Sequence, residues 1–244
     1  MVRYPPARDL SHAFFFEIAR KETFDAHNDT AIVHFIENKM IARQVRYLMP
    51  DENKEEHVTR EAMHRNATRA VKLIRKTIVR NYDFLGVTER MEESLAVMVL
   101  LWDLQPRDVV VLNSKNAGGY DDGGHNRICK IISKAKNMTP YIKDYFENRH
   151  SLWNADIILY HAVNASLDMT IDQLGRERVD QMVETLRELQ QVATEQCLVE
   201  ADFPCSKYGV FQPDRAEESC YIQDAGCGYK CVDQVLQNYT FKSK

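Results

Sequence analysis

Arg3 and Ser11 lie eight residues apart across a proline turn, in Val2-Arg3-Tyr4-Pro5-Pro6-Ala7-Arg8-Asp9-Leu10-Ser11. The apolar run Ala13-Phe14-Phe15-Phe16 follows directly. The chemistry that fits this spacing is anion binding. An arginine leaving a strand end presents a planar fork that takes a phosphate through two charge-assisted hydrogen bonds. A hydroxyl opening a helix donates from the end where backbone N–H groups already favour an anion. Half-sites of this kind belong deep inside nucleotide-binding domains. This one stands at the front of the chain, so either the signal is false or the front half of the domain is missing.

The elements that must position these residues can be read from periodicity. Residues 9–23 read as a short amphipathic helix after the proline turn, and residues 29–48 as a longer one. The longer one has Ile32, Phe35, Ile36, Met40 and Leu48 apolar and Lys39, Arg43 and Arg46 exposed. Residues 53–80 read as a charged helix buried along Val71, Leu73, Ile74 and Ile78. Its basic set Lys72, Arg75, Lys76 and Arg80 reads as the solvated face. Tyr82-Asp83-Phe84-Leu85-Gly86-Val87 then reads as a short strand. Thr88 reads as the N-cap of a helix to Leu104, with Glu89, Glu92 and Glu93 in its first turn. Val109-Val110-Val111-Leu112 reads as a second, fully buried strand.

Residues 113–127 form a long polar loop with two Gly-Gly pairs, a length that marks a loop as functional or mobile. Thr139-Pro140 reads as a cap followed by proline at the first helical position. Helices are expected at about 140–148, 154–174 and 176–195. The last carries Val179, Met182, Val183, Leu186, Leu189 and Ala193 on one face.

Composition sets the bounds. The 244 residues are 44% hydrophobic with nine Gly and seven Pro, which suits a globular chain with one sizeable core. A formal net charge of −4 argues against nucleic acid as the main partner. The best apolar run, Leu95–Trp102, is far short of the roughly 18 residues that span a bilayer. The N-terminus lacks the apolar stretch of a signal peptide, because Arg3, Pro5, Pro6, Arg8 and Asp9 occupy its place.

Two features pull away from a cytosolic reading. Cys197, Cys205, Cys220, Cys227 and Cys231 crowd the last fifth of the chain, while Cys129 stands alone. Their spacing is not that of a zinc ribbon, and tail disulfides of a lumenal protein are the expectation. Five sequons also occur, at Asn28, Asn66, Asn137, Asn164 and Asn238, where average composition would give roughly one or two. Asn137 is followed by Thr139-Pro140, and a proline there hinders modification. Cysteines and sequons together point to the secretory pathway.

The ordered set of these segments resembles the C-terminal half of Golgi carbohydrate sulfotransferases, in particular the galactose 3-O-sulfotransferase and heparan sulfate 2-O-sulfotransferase group. The resemblance runs in order over residues 2–197. It rests on Asn38-Lys39-Met40 with Arg43-Gln44, and on Phe84-Leu85-Gly86-Val87-Thr88-Glu89 with Met91-Glu92-Glu93-Ser94-Leu95. It continues through Leu101-Trp102, Arg107-Asp108-Val109-Val110 and Leu152-Trp153-Asn154-Ala155-Asp156 with Leu159-Tyr160 and Asn164. Gly175-Arg176-Glu177-Arg178 and Cys197 complete it.

The resemblance implies an α/β fold of the P-loop NTPase-like sulfotransferase kind, N-terminally incomplete and helix-rich with few short parallel strands. It implies a sulfotransferase domain over 1–197 followed by a cysteine-rich tail over 198–244. It also implies the sulfate donor PAPS (3′-phosphoadenylyl sulfate), no metal, and a glycan or glycolipid acceptor. The expected location is the Golgi lumen, with a membrane reached only through an N-terminal anchor outside this chain. The family's 3′-phosphate site has an arginine at a strand end and a serine eight residues on, so Arg3 and Ser11 would hold that phosphate. Pro5 and Arg8 fit the pattern, and Tyr4 stands where it has aspartate.

No Gly-rich turn with a following lysine occurs between a strand and a helix, so the phosphosulfate loop is expected upstream. So is the general base, a role that neither His12 nor His161 is assigned. The chain alone is therefore expected to be inactive in transfer. Two other readings remain at this level. One is a non-catalytic lumenal or secreted binding module on a sulfotransferase-like fold, and the other is a cytosolic helical scaffold with free thiols.

Overall fold

The structure is a computed structural model that describes residues 1–13, 28–39, 43–48, 71–72, 74–112, 119–120, 129–130, 138–150, 155–197 and 228–239. Its contacts divide the chain into two compact units, Met1–Ser94 with Ser133–Gln173 and Leu95–Ile132 with Leu174–Lys244.

The first unit is organised around a short parallel pairing. Val2 N donates to Gly86 O at 2.7 Å and Thr88 N donates to Val2 O at 2.8 Å, so Val2 and Val87 form a parallel bridge. Both valines are buried, as a parallel strand packed on two faces requires. Each extended segment runs straight into helix. After Val2 comes α1 (Pro5–His12), where two prolines fill the first positions, which need no N–H partner. After Val87 comes a 3₁₀ turn at Thr88–Arg90 and then α4 (Met91–Trp102). Between them lie α2 (Asp29–Lys39) and α3 (Arg43–Leu48).

The sequence places a strand over Tyr82–Val87, but only Val87 enters a bridge. It also places an N-cap at Thr88. The cap position belongs to Val87 instead, and no side chain caps the 3₁₀ turn. Buried Ser94 reaches back from α4: its Oγ accepts from Val87 N at 2.9 Å and donates to Val87 O at 3.2 Å. The extended segment beside it leaves no room for a side chain at Gly86, where an added Cβ would lie 2.9 Å from Ser94 Cβ and also meet Met1.

Leu10 of α1, Ile32, Val33 and Ile36 of α2, and Ile142 of α5 (Pro140–Asp144) form a buried cluster. Tyr145 and Phe146, in the π-helical turn that prolongs α5, complete it. The expected cap at Thr139 is present: its Oγ1 accepts from Ile142 N at 3.3 Å and donates to Asp29 Oδ2 at 2.5 Å. That one hydroxyl joins the starts of α2 and α5. The helix α6 (Ala155–Leu174) buries Leu159, Val163, Leu167 and Ile171, a strict four-residue stripe. Gly175, at φ +89°, ends α6 in a conformation that glycine adopts without strain.

In the second unit, α7 (Arg176–Cys197) buries Val179, Val183, Leu186, Leu189, Ala193 and Cys197, while Met182 is only half-buried. It packs against α8 (Tyr229–Gln237), which buries Val232 and Leu236. A disulfide joins Cys197 to Cys231, 34 residues on, and Tyr239 donates to Glu188 at 2.5 Å across the same helix pair.

The sequence puts a buried strand at 109–112. Instead Pro106–Val109 is a 3₁₀ turn with a capping box between Gln105 and Asp108, and Val111 is 58% exposed. Proline at the first position and an acidic residue at the third set helical dihedrals there, overriding the valine run. Two-residue strands β1 (Gly119–Tyr120) and β2 (Cys129–Lys130) pair antiparallel. The rest of the polar loop 113–127 lies outside the described residues, as do 14–23, 53–70, Cys205, Cys220 and Cys227.

Two outcomes follow from this packing. Gly86→Ala should destabilise the first unit by about 1–3 kcal/mol, the usual cost of forcing an extra carbon into a packed site. Thermal unfolding of the variant against the parent chain measures it. Cys231→Ser should cost about 3–4 kcal/mol, the loop-closure entropy of a loop this long, read as an earlier urea midpoint under oxidising conditions.

Candidate anion-binding site

The parallel bridge delivers Arg3 and Tyr4 to one strand end, and Thr88 and Glu89 to the other. The Arg3 backbone is held on both sides by one side chain. Its N–H donates to Gln44 Oε1 at 2.8 Å and its carbonyl accepts from Gln44 Nε2 at 2.9 Å. Gln44 thus imitates a third strand, satisfying the two backbone groups that the single bridge leaves open. Tyr4 N donates to Glu89 Oε1 at 2.9 Å, which ties the two strand ends together. Arg3 is only partly buried, and among the described residues its guanidinium has no hydrogen-bond or ion-pair partner.

Ser11 is exposed, and its hydroxyl makes no hydrogen bond among the described residues. It does not open a helix as the sequence reading has it. The prolines start α1 six residues earlier, so Ser11 lies in the last turn, roughly 9 Å along the axis from Pro5. The helix N-terminus therefore adds nothing to its pull on an anion. No described contact joins the Arg3 and Ser11 side chains.

Arg8, which shares the segment, has the opposite fate. Its Nε donates to Asp9 Oδ1 at 2.7 Å, its Nη2 also reaches Asp9, and its Nη1 reaches Asp156 Oδ2 at 2.5 Å. Asp9 and Asp156 are fully buried. Asp156 further accepts from Gln44 N at 3.0 Å and from Val45 N at 2.8 Å. Burial pushes the Asp156 carboxyl up, while the Arg8 charge and the two backbone donors pull against it. For Arg8, burial works against the charge, but Asp156 and Asp9 outweigh it and hold the guanidinium above its ordinary value. Arg8 is thus a structural cation, and Arg3, at the strand end, has no such partner among the described residues.

Aromatic rings flank this end. Tyr4 and Tyr160 lie 5.4 Å apart between centroids, and Tyr160 meets exposed His161 edge-on at 5.8 Å. Burial pushes the Tyr160 phenol up, and Glu89 beside it pushes the same way. The basic residues Lys72, Arg75, Lys76 and Arg80 are exposed, as expected for a solvated face. Arg90 is held by Glu93 at 2.6 Å and Asp168 at 2.7 Å.

Sequence reasoning did not single out Gln44 or Asp156 as positioning residues. Asp156 carried a signal nonetheless: it falls three positions before Leu159 on the apolar stripe of α6, where an acidic residue requires buried donors. Gln44 carried none, since a glutamine on a short helix is ordinary. Among the described residues, no three or more His, Cys, Asp or Glu side chains group to hold a metal ion. Nor is any described helix long and apolar enough to cross a membrane.

Comparison with protein-family models, with curated proteins and with solved structures finds no match to this chain.

Asp156→Ala should cost about 3–5 kcal/mol, because it leaves the Gln44 and Val45 amides and the Arg8 Nη1 without an acceptor, while Asp9 still pairs the Arg8 charge. Replacing Arg8 and Asp156 together by leucine should cost less than the two single changes summed, a coupling that urea denaturation of the four chains in the cycle measures.

Proposed function

We propose that this chain carries the donor-binding part of a PAPS-dependent carbohydrate sulfotransferase, with Arg3 and Ser11 gripping the donor's 3′-phosphate. The observation that carries the reading is the Arg3 guanidinium, without a partner among the described residues, at the end of a parallel pairing whose two segments each lead into a helix. Ligands of open α/β folds bind at the carboxyl ends of parallel strands, and Arg3 stands at such an end. The exposed Ser11 hydroxyl, one helix away, is the second donor. The tilted pair of Tyr4 and Tyr160 supplies an aromatic face for the purine.

Sulfuryl transfer, like phosphoryl transfer, is catalysed by in-line placement and by cations on the developing negative charge. Arg3 and Ser11 act on the far end of the donor, so their part is to hold and orient it. The acceptor of this reading is a galactose- or uronic-acid-containing glycan or glycolipid, and its compartment is the Golgi lumen. The disulfide between Cys197 and Cys231 is in keeping with an oxidising compartment.

A second reading keeps the grip without the transfer. It is favoured by the absence from the 244-residue sequence of a Gly-rich turn bearing a lysine between strand and helix. In it, the chain is a non-catalytic lumenal module on a sulfotransferase-like fold.

Calorimetry with adenosine 3′,5′-bisphosphate tests the shared core of both. The parent chain should bind it, Arg3→Ala should weaken binding about 10- to 100-fold, and Lys72→Ala should leave it unchanged. Ser11→Ala should weaken it about 5- to 10-fold, as loss of one hydroxyl donor to a charged group does. Absence of binding by the parent chain overturns the proposal. Incubation with sulfur-labelled PAPS and galactose-terminated or uronic-acid glycans then separates the two readings, since only the first predicts labelled glycan.

A further inference from the structure

We infer that Asn28 is a site of N-linked glycosylation, and that of the sequons whose structure is described it is the one the folded chain accommodates best. The asparagines differ in what their side-chain amides already do. Asn28 is exposed and caps α2: its Oδ1 accepts from Ala31 N at 3.0 Å. Its Nδ2 makes no hydrogen bond among the described residues. Glycosylation consumes an Nδ2 proton and leaves the carbonyl intact, so the cap and the glycan use different atoms of one side chain. Thr30, the hydroxyl residue of the sequon, is also exposed. Asp29 between them accepts from Thr139 Oγ1, which fixes the segment while its two neighbours face solvent.

The other sequons are differently placed. Asn164 is half-buried in the middle of α6, and its Nδ2 donates to Tyr160 O at 3.1 Å, so a sugar there would have to enter a packed face. The hydroxyl of the Asn137 sequon belongs to Thr139, which is committed to Asp29 and to the cap of α5, and Pro140 follows it. Asn238 is exposed, but its Nδ2 donates to Gln234 O at 3.0 Å. Asn66 lies outside the described residues.

The step itself is a group transfer from a lipid-linked oligosaccharide. The Asn28 Nδ2 forms a bond to the anomeric carbon of the first sugar, the bond from that carbon to the lipid diphosphate breaks, and the diphosphate leaves with the electron pair. The displaced amide proton passes to the transferase. The disulfide between Cys197 and Cys231 is an independent sign that the chain matures where this chemistry operates. The inference does not depend on PAPS binding.

The test is expression of the full chain behind a cleavable secretion leader in cultured eukaryotic cells, followed by peptide N-glycosidase treatment and peptide mapping. Enzymatic release converts an occupied asparagine to aspartate, and the Asn28 peptide should carry that change. Two variants guard against misfolding. Asn28→Asp keeps the capping carbonyl and Thr30→Ala leaves Asn28 itself in place. Each should lose one glycan's worth of mobility shift while keeping the parent's thermal midpoint, and Asn164→Gln should leave the gel pattern unchanged. Recovery of the Asn28 peptide wholly unmodified overturns the inference, and so do Asn28→Asp and Thr30→Ala chains that migrate like the parent before enzyme treatment.

Discussion

One buried carboxylate sets the conditions for the first unit. Asp156 sits on the packed stripe of α6, where water cannot solvate it, so every lone pair must find a donor in the protein. Three come from elsewhere in the chain: the Arg8 guanidinium on α1 and the Gln44 and Val45 amides at the start of α3. Segments more than a hundred residues apart are thereby fixed to one point. Such a cluster adds little stability over a well-packed apolar one, but it accepts only one arrangement of its donors. The demand passes outward, because anchoring the Gln44 backbone also aims the Gln44 side chain at Arg3.

The two arginines on the first segment show how much of a site lies in partners and how little in residue type. Arg3 and Arg8 are five positions apart and carry the same fork. Arg8 meets two buried carboxylates and is consumed by them, whereas among the described residues Arg3 meets the neutral amide of Gln44, which engages its backbone. What distinguishes them is the α-helical turn between, which swings Arg8 toward α6 and leaves Arg3 on the extended side of the prolines.

Legibility in the sequence followed the range of the interactions. The cap at Thr139, the extent of α6 and the buried face of α7 are set by residues within a turn or two of one another, and they stand where pattern reading puts them. Tail disulfides were expected from clustering, and the one described joins Cys197 to Cys231. The strand expected at 109–112 loses Val109 to a local signal, the box of Gln105 and Asp108 that closes the 3₁₀ turn, while Val110 beyond it is extended without entering a strand among the described residues. Thr88 failed as a cap because the turn starts one residue earlier: Val87 holds the cap position, and its carbonyl accepts from Arg90 N at 3.0 Å. Ser11 was read as opening a helix that in fact starts at the prolines. The candidate site was half legible. Arg3 could be proposed from its spacing, but the hold of Gln44 on its backbone, set by Asp156, is visible only once distant segments meet.

The bond between Cys197 and Cys231 gives the second unit a continuity that does not run along the peptide backbone. A protease that cuts anywhere in the 33 residues it encloses would leave α8 covalently attached to α7. Cleavage there would yield a two-chain molecule of unchanged mass apart from one water, with Val232 and Leu236 still seated and the ends parted only by a reductant. The intervening stretch is thus free to be nicked or to vary in length without detaching the helix that follows it.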